Sequence, residues 1–165
     1  MMRKLAQKRY ARALAFATQK HDGQMRIGGD AYITHPVTVA QTVRDWGYPA
    51  AYQIAALFHD LLEDTDASER EIRAIGGRRV LRAVKMLTKT PGYDMKTYVD
   101  RIQKCRMARV VKAADRLHNL RCAVVAPEAF RRRYVEESTQ WYLDFAPEIV
   151  TAVRELAETL GEGEE

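Results

Sequence analysis

The chain has 165 residues, of which 47% are hydrophobic, and this fits one domain with one sizeable core. No apolar run approaches the length of a membrane span, so we expect no bilayer-spanning segment. The formal net charge of +5 favours anionic ligands, either phosphorylated metabolites or nucleic acid.

The N-terminal segment is basic and then apolar, which suggests a signal peptide at first sight. Arg9 and Arg12 interrupt the apolar patch, however, and the pattern over residues 3–20 is that of an amphipathic helix. The two cysteines, Cys105 and Cys122, are far apart and form no C-x-x-C pair. We therefore expect reduced thiols in a cytoplasmic protein.

The rest of the chain has a helical pattern almost throughout. Glycines interrupt this pattern over residues 21–34, where we expect a loop. Further helices are predicted over residues 35–46, 49–62, 68–77, 78–88, 94–104 and 107–125, and two more over 127–161, beginning at Pro127 and Pro147. The sequence predicts an all-α protein, a compact orthogonal bundle of roughly eight or nine helices that forms one domain over residues 1–165.

Four ionisable residues stand inside otherwise apolar helical segments: His35, His59, Asp60 and Asp115. Burying such groups unpaired costs several kcal/mol, so two imidazoles and two carboxylates that meet inside a bundle are most simply explained by a shared divalent metal. Mixed nitrogen and oxygen ligands suit Mn²⁺, Fe²⁺, Zn²⁺ or Ni²⁺. Taken singly, a buried histidine is more often a hydrogen-bonded core residue, and an acidic run is often a solvated helix end.

Helical spacing extends this cluster. Glu63 follows His59 by four residues and Asp64 follows Asp60 by four, which predicts that all four share one broad arc of the third helix. The same spacing places three polar residues on one face of the seventh helix: Lys112, Asp115 and Asn119.

Three segments carry a resemblance to a known family: HDGQMRIGGDAYITHPVTVA, ALFHDLLEDT and VKAADRLHNLR. They resemble, in order, the motifs of the HD-domain phosphohydrolases and specifically of the RelA/SpoT hydrolase domain. The similarity is greatest to the small stand-alone alarmone hydrolases of the metazoan SpoT homologue type. It covers roughly residues 5–125, and the last forty residues match only as generic helices.

This resemblance implies an HD-type fold and a metal-dependent activity: hydrolysis of the 3′-pyrophosphate of ppGpp or pppGpp, giving GDP or GTP and pyrophosphate. It implies Mn²⁺ bound by His35, His59, Asp60 and Asp115, with Glu63 and Asp64 as the catalytic acidic pair. It places Arg26 on the nucleotide base. It also implies contacts with the substrate, or with the residues around it, for five further residues: Tyr32, Lys112, Arg116, Asn119 and Arg121. For Arg116, an ion pair with a nearby carboxylate is an equal alternative.

The chain departs from the family pattern around the expected nucleotide. Ile27, Gly28 and Ala31 replace a lysine, a serine and a proline, and Cys122 replaces a threonine. An alternative is therefore that the same site hydrolyses another nucleotide, such as the 2′-phosphate of NADPH or a nucleoside phosphate.

A second alternative is a helical nucleic-acid-binding module, supported by basic clusters near Arg78 and Arg131. A solvated helix face explains those clusters better, and there is no zinc-finger spacing or basic stripe with interleaved aromatics. We therefore expect neither a nucleic acid nor a membrane as partner, and the oligomeric state stays open.

Overall fold

The computed structural model describes residues 2–161, and side chains from residue 4 onward. Over that range the chain forms nine α-helices and a short 3₁₀ turn, and the only strand-like feature there is an isolated bridge between Met25 and Ala31. The helices are α1 (Met2–Lys20), α2 (Thr34–Asp45), α3 (Ala50–Phe58), α4 (Leu61–Asp64), α5 (Glu69–Leu87), α6 (Met95–Gln103), α7 (Arg106–Cys122), α8 (Glu128–Trp141) and α9 (Pro147–Glu158). The all-α prediction is confirmed.

The fold divides into two compact units, one ending at Lys112 and the other beginning at Ala113. The boundary falls inside α7. The prediction of one domain over residues 1–165 stays a prediction, and Met1 and residues 162–165 of that range lie outside the described residues.

Helix α3 is central to the first unit, where it packs against α1, α2 and α5. Its sequence AAYQIAALF is apolar almost all round, as expected of a helix in the middle of a core. Leu57 and Phe58 are fully buried, and burial of each such side chain contributes roughly 1.5–3 kcal/mol. The Phe58 ring meets Phe16 of α1 edge to face, with centroids 5.6 Å apart.

The third helix differs from its prediction, which extended it to Leu62. Helix α3 ends at Phe58 and a new four-residue helix, α4, begins at Leu61. His59 and Asp60 lie between the two helices, so the single helical arc predicted for the acidic cluster is divided between a turn and α4. Neither glycine nor proline marks this break, and the local sequence therefore gives no signal for it.

Helix α5 shows two features that the sequence predicts. Ser68 and Glu71 form a capping box: the Glu71 carboxylate accepts from the Ser68 amide at 2.8 Å, and the Ser68 hydroxyl accepts from the Glu71 amide. Gly77 then adopts φ 83° and ψ 175°, which kinks the helix where the sequence predicts one helix to end and another to begin. A positive φ of this kind favours glycine.

The second unit contains the end of α7, the 3₁₀ turn at Ala123–Val125, α8 and α9. The seventh helix ends at Cys122, so the last three residues of its predicted range form the 3₁₀ turn instead. Helices α8 and α9 pack against each other. Helix α9 begins at the predicted Pro147, whose fixed φ and missing N–H suit a first turn, whereas the predicted Pro127 directly precedes α8 as its N-cap.

Among the described helices, none combines the length and the apolarity that crossing a bilayer would require. Cys105 and Cys122 are both free thiols.

Candidate metal centre

Two buried imidazoles and a carboxylate meet at the end of α3. His35 Nε2 lies 3.2 Å from His59 Nε2, and His59 Nε2 lies 2.9 Å from Asp60 Oδ2. The third distance, from His35 Nε2 to Asp60 Oδ2, is 3.8 Å. The histidines are 1% and 3% exposed. Three potential ligand atoms, two nitrogens and one oxygen, therefore face one small volume.

The tautomer of His59 is set by the backbone. Its Nδ1 lies 2.7 Å from the carbonyl oxygen of Ala56, and because a carbonyl only accepts, Nδ1 must carry the proton. In the neutral imidazole, Nε2 then turns a lone pair toward the Asp60 carboxylate. A cation between the two groups converts this repulsion into attraction, and metal-bound histidines typically donate their other N–H in this way. The donor set fits a divalent transition metal.

The loop before α2 brings Tyr32 to this cluster. The Met25–Ala31 bridge closes a small hairpin, in which the Tyr32 amide donates to the carbonyl of Gln24 at 2.8 Å. The Tyr32 hydroxyl donates to Asp60 Oδ2 at 2.7 Å. This bond orients the carboxylate that faces His59.

Two further carboxylates lie beside Asp60 on α4. Glu63 accepts a hydrogen bond from the amide of Lys89 at 2.8 Å, and Asp64 Oδ2 lies 3.4 Å from the Tyr32 hydroxyl. Burial raises the pKa of Asp64 above its ordinary value, and the charges of Asp60 and Glu63 raise it further. The three carboxylates repel one another, and a bound cation would lower that repulsion.

In the second unit, Asp115 is a buried carboxylate with a defined orientation. It is 4% exposed, and the side-chain amide of Asn119 donates to its Oδ1 at 2.7 Å. Asn119 follows by one helical turn, so this contact arises from the shared face that the spacing predicts.

Comparison with known proteins identifies the family. The family model described as the HD domain matches residues 13–148. The chain belongs to the HD-domain family.

Named relatives of this HD-domain chain are longer proteins. A GTP pyrophosphokinase rsh from Brucella ovis is 35% identical over 146 residues, which cover 82% of this chain and 20% of that protein. A probable guanosine-3′,5′-bis(diphosphate) 3′-pyrophosphohydrolase from Synechocystis is 38% identical over 133 residues, 73% of this chain and 18% of that protein. The chain thus spans about a fifth of the length of these curated relatives.

A solved structure has a similar size and fold. It is that of a metazoan ortholog of SpoT, which hydrolyzes ppGpp, and it matches with a TM-score of 0.64 at 25% identity. The match covers 93% of this chain and 92% of that one. The predicted HD-type fold and the predicted resemblance are confirmed.

The predicted substrate residues of this HD-domain protein lie in different settings. The Arg26 guanidinium stands 5.9 Å from the centre of the Tyr32 ring. Lys112 is buried, with its ammonium 5.8 Å from the centre of the Tyr98 ring. Arg121 is exposed in the last turn of α7. Their contacts with a substrate stay predictions.

Arg116, for which the resemblance implies a substrate contact, is enclosed by side chains of the second unit. It is 2% exposed, and its guanidinium pairs with the Glu137 carboxylate and donates to the Ser138 hydroxyl. The rings of Tyr134 and Tyr142 lie 4.3 and 4.2 Å from its central carbon. The ion pair that was the alternative for Arg116 is therefore present, and a contact of Arg116 with a substrate stays a prediction.

The sequence interpretation missed the residues that support the site. His21 packs on the Tyr32 ring at a centroid distance of 4.7 Å and donates from Nδ1 to the Gln24 side chain at 2.8 Å. The Gln24 amide donates to the Asp64 carbonyl at 2.8 Å. Both residues lie in the segment HDGQMRIGGDAYITHPVTVA, whose resemblance to the family was a signal that could have identified them. Lys89, 5.6 Å from the Tyr98 ring, had none.

Proposed function

We propose that this chain hydrolyses the 3′-pyrophosphate of ppGpp or pppGpp in a metal-dependent reaction, releasing pyrophosphate and GDP or GTP. The observation that carries the proposal is the meeting of His35, His59 and Asp60, with Nε2 of His59 facing a carboxylate. Supporting it, the structurally similar metazoan protein hydrolyzes ppGpp, and the Synechocystis relative is named for this reaction.

The proposed metal ligands are the two imidazoles and the carboxylates of Asp60 and Asp115. We include Asp115 because it is a buried carboxylate, held by Asn119, and stands in a motif like that of the family. We propose Mn²⁺ as the metal, with Fe²⁺, Zn²⁺ or Ni²⁺ compatible with the same donors. When bound, such a metal supplies Lewis-acid polarisation of a phosphoryl oxygen and acidifies water.

The acidic pair on α4 handles the attacking water in this proposal. Glu63 is held in place through the Lys89 amide, and Asp64 lies against the Tyr32 hydroxyl, so both carboxylates have fixed positions near Asp60. One of them orients the water and the other accepts its proton. Whichever of the two residues accepts the proton, both carboxyl groups must be ionised for the reaction.

Basic side chains bind the phosphates of the nucleotide. Arg26 lies over Tyr32, while Lys89 and Lys112 approach the Tyr98 ring, where cations are stabilised by the aromatic face. We add Tyr32, Asn119 and Arg121 as contacts to the substrate or to the residues that hold it. The two free thiols favour a cytoplasmic location, where thiols stay reduced.

A second candidate substrate is another nucleotide, such as NADPH with its 2′-phosphate or a nucleoside phosphate. The observation in its favour is the loop that carries Arg26. Ile27 is 78% exposed at the position where the resembling family has lysine, and Gly28 replaces a serine. This loop therefore offers fewer hydrogen-bond donors to a guanine nucleotide.

A nucleotide panel tests the proposal. The purified chain is incubated with Mn²⁺ and ppGpp, NADPH or a nucleoside monophosphate, and pyrophosphate and phosphate release are measured separately. We expect pyrophosphate from ppGpp. Phosphate from NADPH without pyrophosphate from ppGpp would establish the second candidate, and no release from any nucleotide with any of the four metals would overturn the hydrolase proposal.

A further inference from the structure

A second concave site in the first unit lies apart from the metal cluster. The cavity has a volume of about 230 Å³. Its walls come from α3, α5 and the segment that joins α6 to α7, and they are formed by Tyr52, Arg79, Arg82, Lys104, Cys105, Arg106 and Met107. Four of these residues are cations and none is an acid.

The four cations of this basic cavity (Arg79, Arg82, Lys104 and Arg106) form no ion pair with any carboxylate in the described part of the chain. Neighbouring cations behave differently. Lys85, one turn beyond Arg82 on α5, pairs with Glu69 at 2.8 Å, and Lys96 on α6 pairs with Asp100 at 2.8 Å. The cavity thus holds four cations without a carboxylate partner among the described residues, and their mutual repulsion would be relieved by an anion.

The backbone adds to this positive potential. Helix α7 starts at Arg106, on the wall of the cavity, and has no acidic residue in its first turn. The amide end of a helix carries a partial positive charge. The first turn of α7 therefore reinforces the arginines instead of offsetting them.

The floor and the size of the cavity limit what it can hold. Tyr52 and Met107 are the buried apolar residues of the lining, and Tyr52 stacks on Tyr48 at a centroid distance of 4.9 Å. Arg106 lies 5.9 Å from the Tyr48 ring, which holds its guanidinium at the rim. Sites for drug-sized ligands have volumes of roughly 300–1,000 Å³, so this smaller cavity fits a phosphate group or two better than a whole nucleotide.

We propose that the basic cavity is a second phosphoryl-binding site, which takes pyrophosphate or the terminal phosphates of a nucleotide. Arginine forks match phosphate oxygens with paired hydrogen bonds, and three of the four cations are arginines. The site is about 10 Å from the metal cluster along α3, since Tyr52 and His59 are seven residues apart at about 1.5 Å per residue. An anion bound there occupies a position separate from the proposed metal ligands.

Cys105 provides a local probe of this site, because its half-buried thiol lines the cavity. In a Cys122→Ser background it is the only cysteine of the chain. The alkylation rate of Cys105 by an uncharged reagent is measured on metal-stripped protein, with sodium chloride holding the ionic strength constant. We expect pyrophosphate to slow alkylation about tenfold at ten times its dissociation constant, by simple occupancy.

Two matched double variants test the role of charge. Arg79→Gln with Arg82→Gln removes two charges from the cavity, whereas Arg73→Gln with Arg78→Gln removes two charges from exposed positions of α5 outside it. We expect the first pair to lose the protection and the second to keep it. Melting temperatures measured in parallel show that both variants are folded.

The probes separate the possible sources of the anion. Protection by pyrophosphate and inorganic phosphate indicates free phosphates, and protection by ATP alone indicates the phosphates of a nucleotide; both support the proposal. Equal alkylation rates with and without these anions would overturn it. So would protection by a single-stranded RNA oligonucleotide without protection by the small anions, since this would make the cavity part of a nucleic-acid surface.

Discussion

The two ends of α3 collect opposite kinds of charged side chain. At its carboxyl end, His59 and Asp60 begin a cluster of imidazoles and carboxylates that suits a cation. Near its amino end, Tyr52 lines a cavity together with four cations that suit an anion. The partial charges of the backbone agree with both: the carbonyl end of α3 favours a cation, and the amide end of α7 favours an anion. One buried helix thus separates two sites whose ligands have opposite charge.

The largest expected effect on metal binding and turnover comes from removing a charge at the carboxyl end of α3. Asp60→Asn keeps the shape of the side chain but removes the charge that faces His59 and, in the proposal, binds the metal. We expect loss of bound metal by elemental analysis and turnover at background level. The matched control is Asp66→Asn, because the Asp66 side chain is 88% exposed and pairs with Lys20. A fully metallated and active Asp60→Asn protein would contradict the ligand assignment.

Glu63→Gln separates catalysis from metal binding at the same end. The variant keeps the hydrogen-bond acceptor that Lys89 uses but cannot take up a proton at neutral pH. We expect normal metal content and a turnover lower by on the order of 10²-fold, as is common for acid–base groups. Glu69→Gln, which changes a surface glutamate paired with Lys85, is the control. Unchanged turnover in Glu63→Gln would remove its assigned role.

Tyr32→Phe tests whether the Tyr32 hydroxyl orients the Asp60 carboxylate. The change deletes the hydroxyl that donates to Asp60 and keeps the ring that packs on His21. Partners of metal ligands typically affect metal affinity or activity by about 10–100-fold, and we expect a weakening in this range in a metal titration. The exposed Tyr93→Phe should bind metal as the unchanged chain does. Equal affinities for the two variants would refute the orienting role.

Gly77→Ala should disturb the kink of α5, which directly precedes the two arginines that α5 contributes to the basic cavity. A side chain at φ 83° and ψ 175° is strained by roughly 1–3 kcal/mol, although the added methyl meets only the Arg9 side chain at 3.9 Å. We expect a lower free energy of unfolding in urea. Gly28→Ala, in open space and without a positive φ, is the control. If both variants unfold alike, the kink is not held by glycine.

The smallest effect is expected at the start of α5. Ser68→Ala removes a helix cap and should lower the free energy of unfolding by about 1 kcal/mol at neutral pH. Hydrogen bonds from the Ser68 amide and hydroxyl hold the pKa of Glu71 below its ordinary value. A lowered carboxyl pKa stabilises the fold above the pKa of the unfolded chain, and this stabilisation is lost as the pH falls through the folded pKa.

The pH dependence makes the cap test specific. The stability difference between the chain and its Ser68→Ala variant should shrink when Glu71 is protonated, and unfolding curves at neutral and acidic pH measure it. A constant difference at all pH values would contradict the capping box.

Local signals explain what the sequence predicts about the fold. Ser68, Asp94 and Pro147 mark helix starts through contacts within four residues, and the structure places a helix after or at each of them. The break at His59–Asp60 has no such signal, because ALFHDLLED is continuous with a helical pattern. In the structure, the helix ends where the His59 side chain donates to the carbonyl of Ala56.

The metal centre and the basic cavity also differ in how far local sequence signals reveal them. The residues of the metal centre stand in short motifs, so His35, His59 and Asp60 could be grouped from the sequence alone. The basic cavity is built from three separate stretches of chain, around residues 52, 79–82 and 104–107, which only the fold brings together. The sequence predicts that Arg78 and Arg79 lie on a solvated helix face. Nothing in it distinguishes Arg79, which lines the cavity, from Arg78 beside it.

The break between α3 and α4 has a consequence for the chemistry of His59. In an uninterrupted helix the carbonyl of Ala56 would accept from the amide of Asp60. Here it accepts from the imidazole of His59 at 2.7 Å. The hydrogen bond to this backbone oxygen therefore places the ring proton of His59 on Nδ1 in the folded chain. The site is preorganised, and no proton needs to migrate around the ring when a metal arrives.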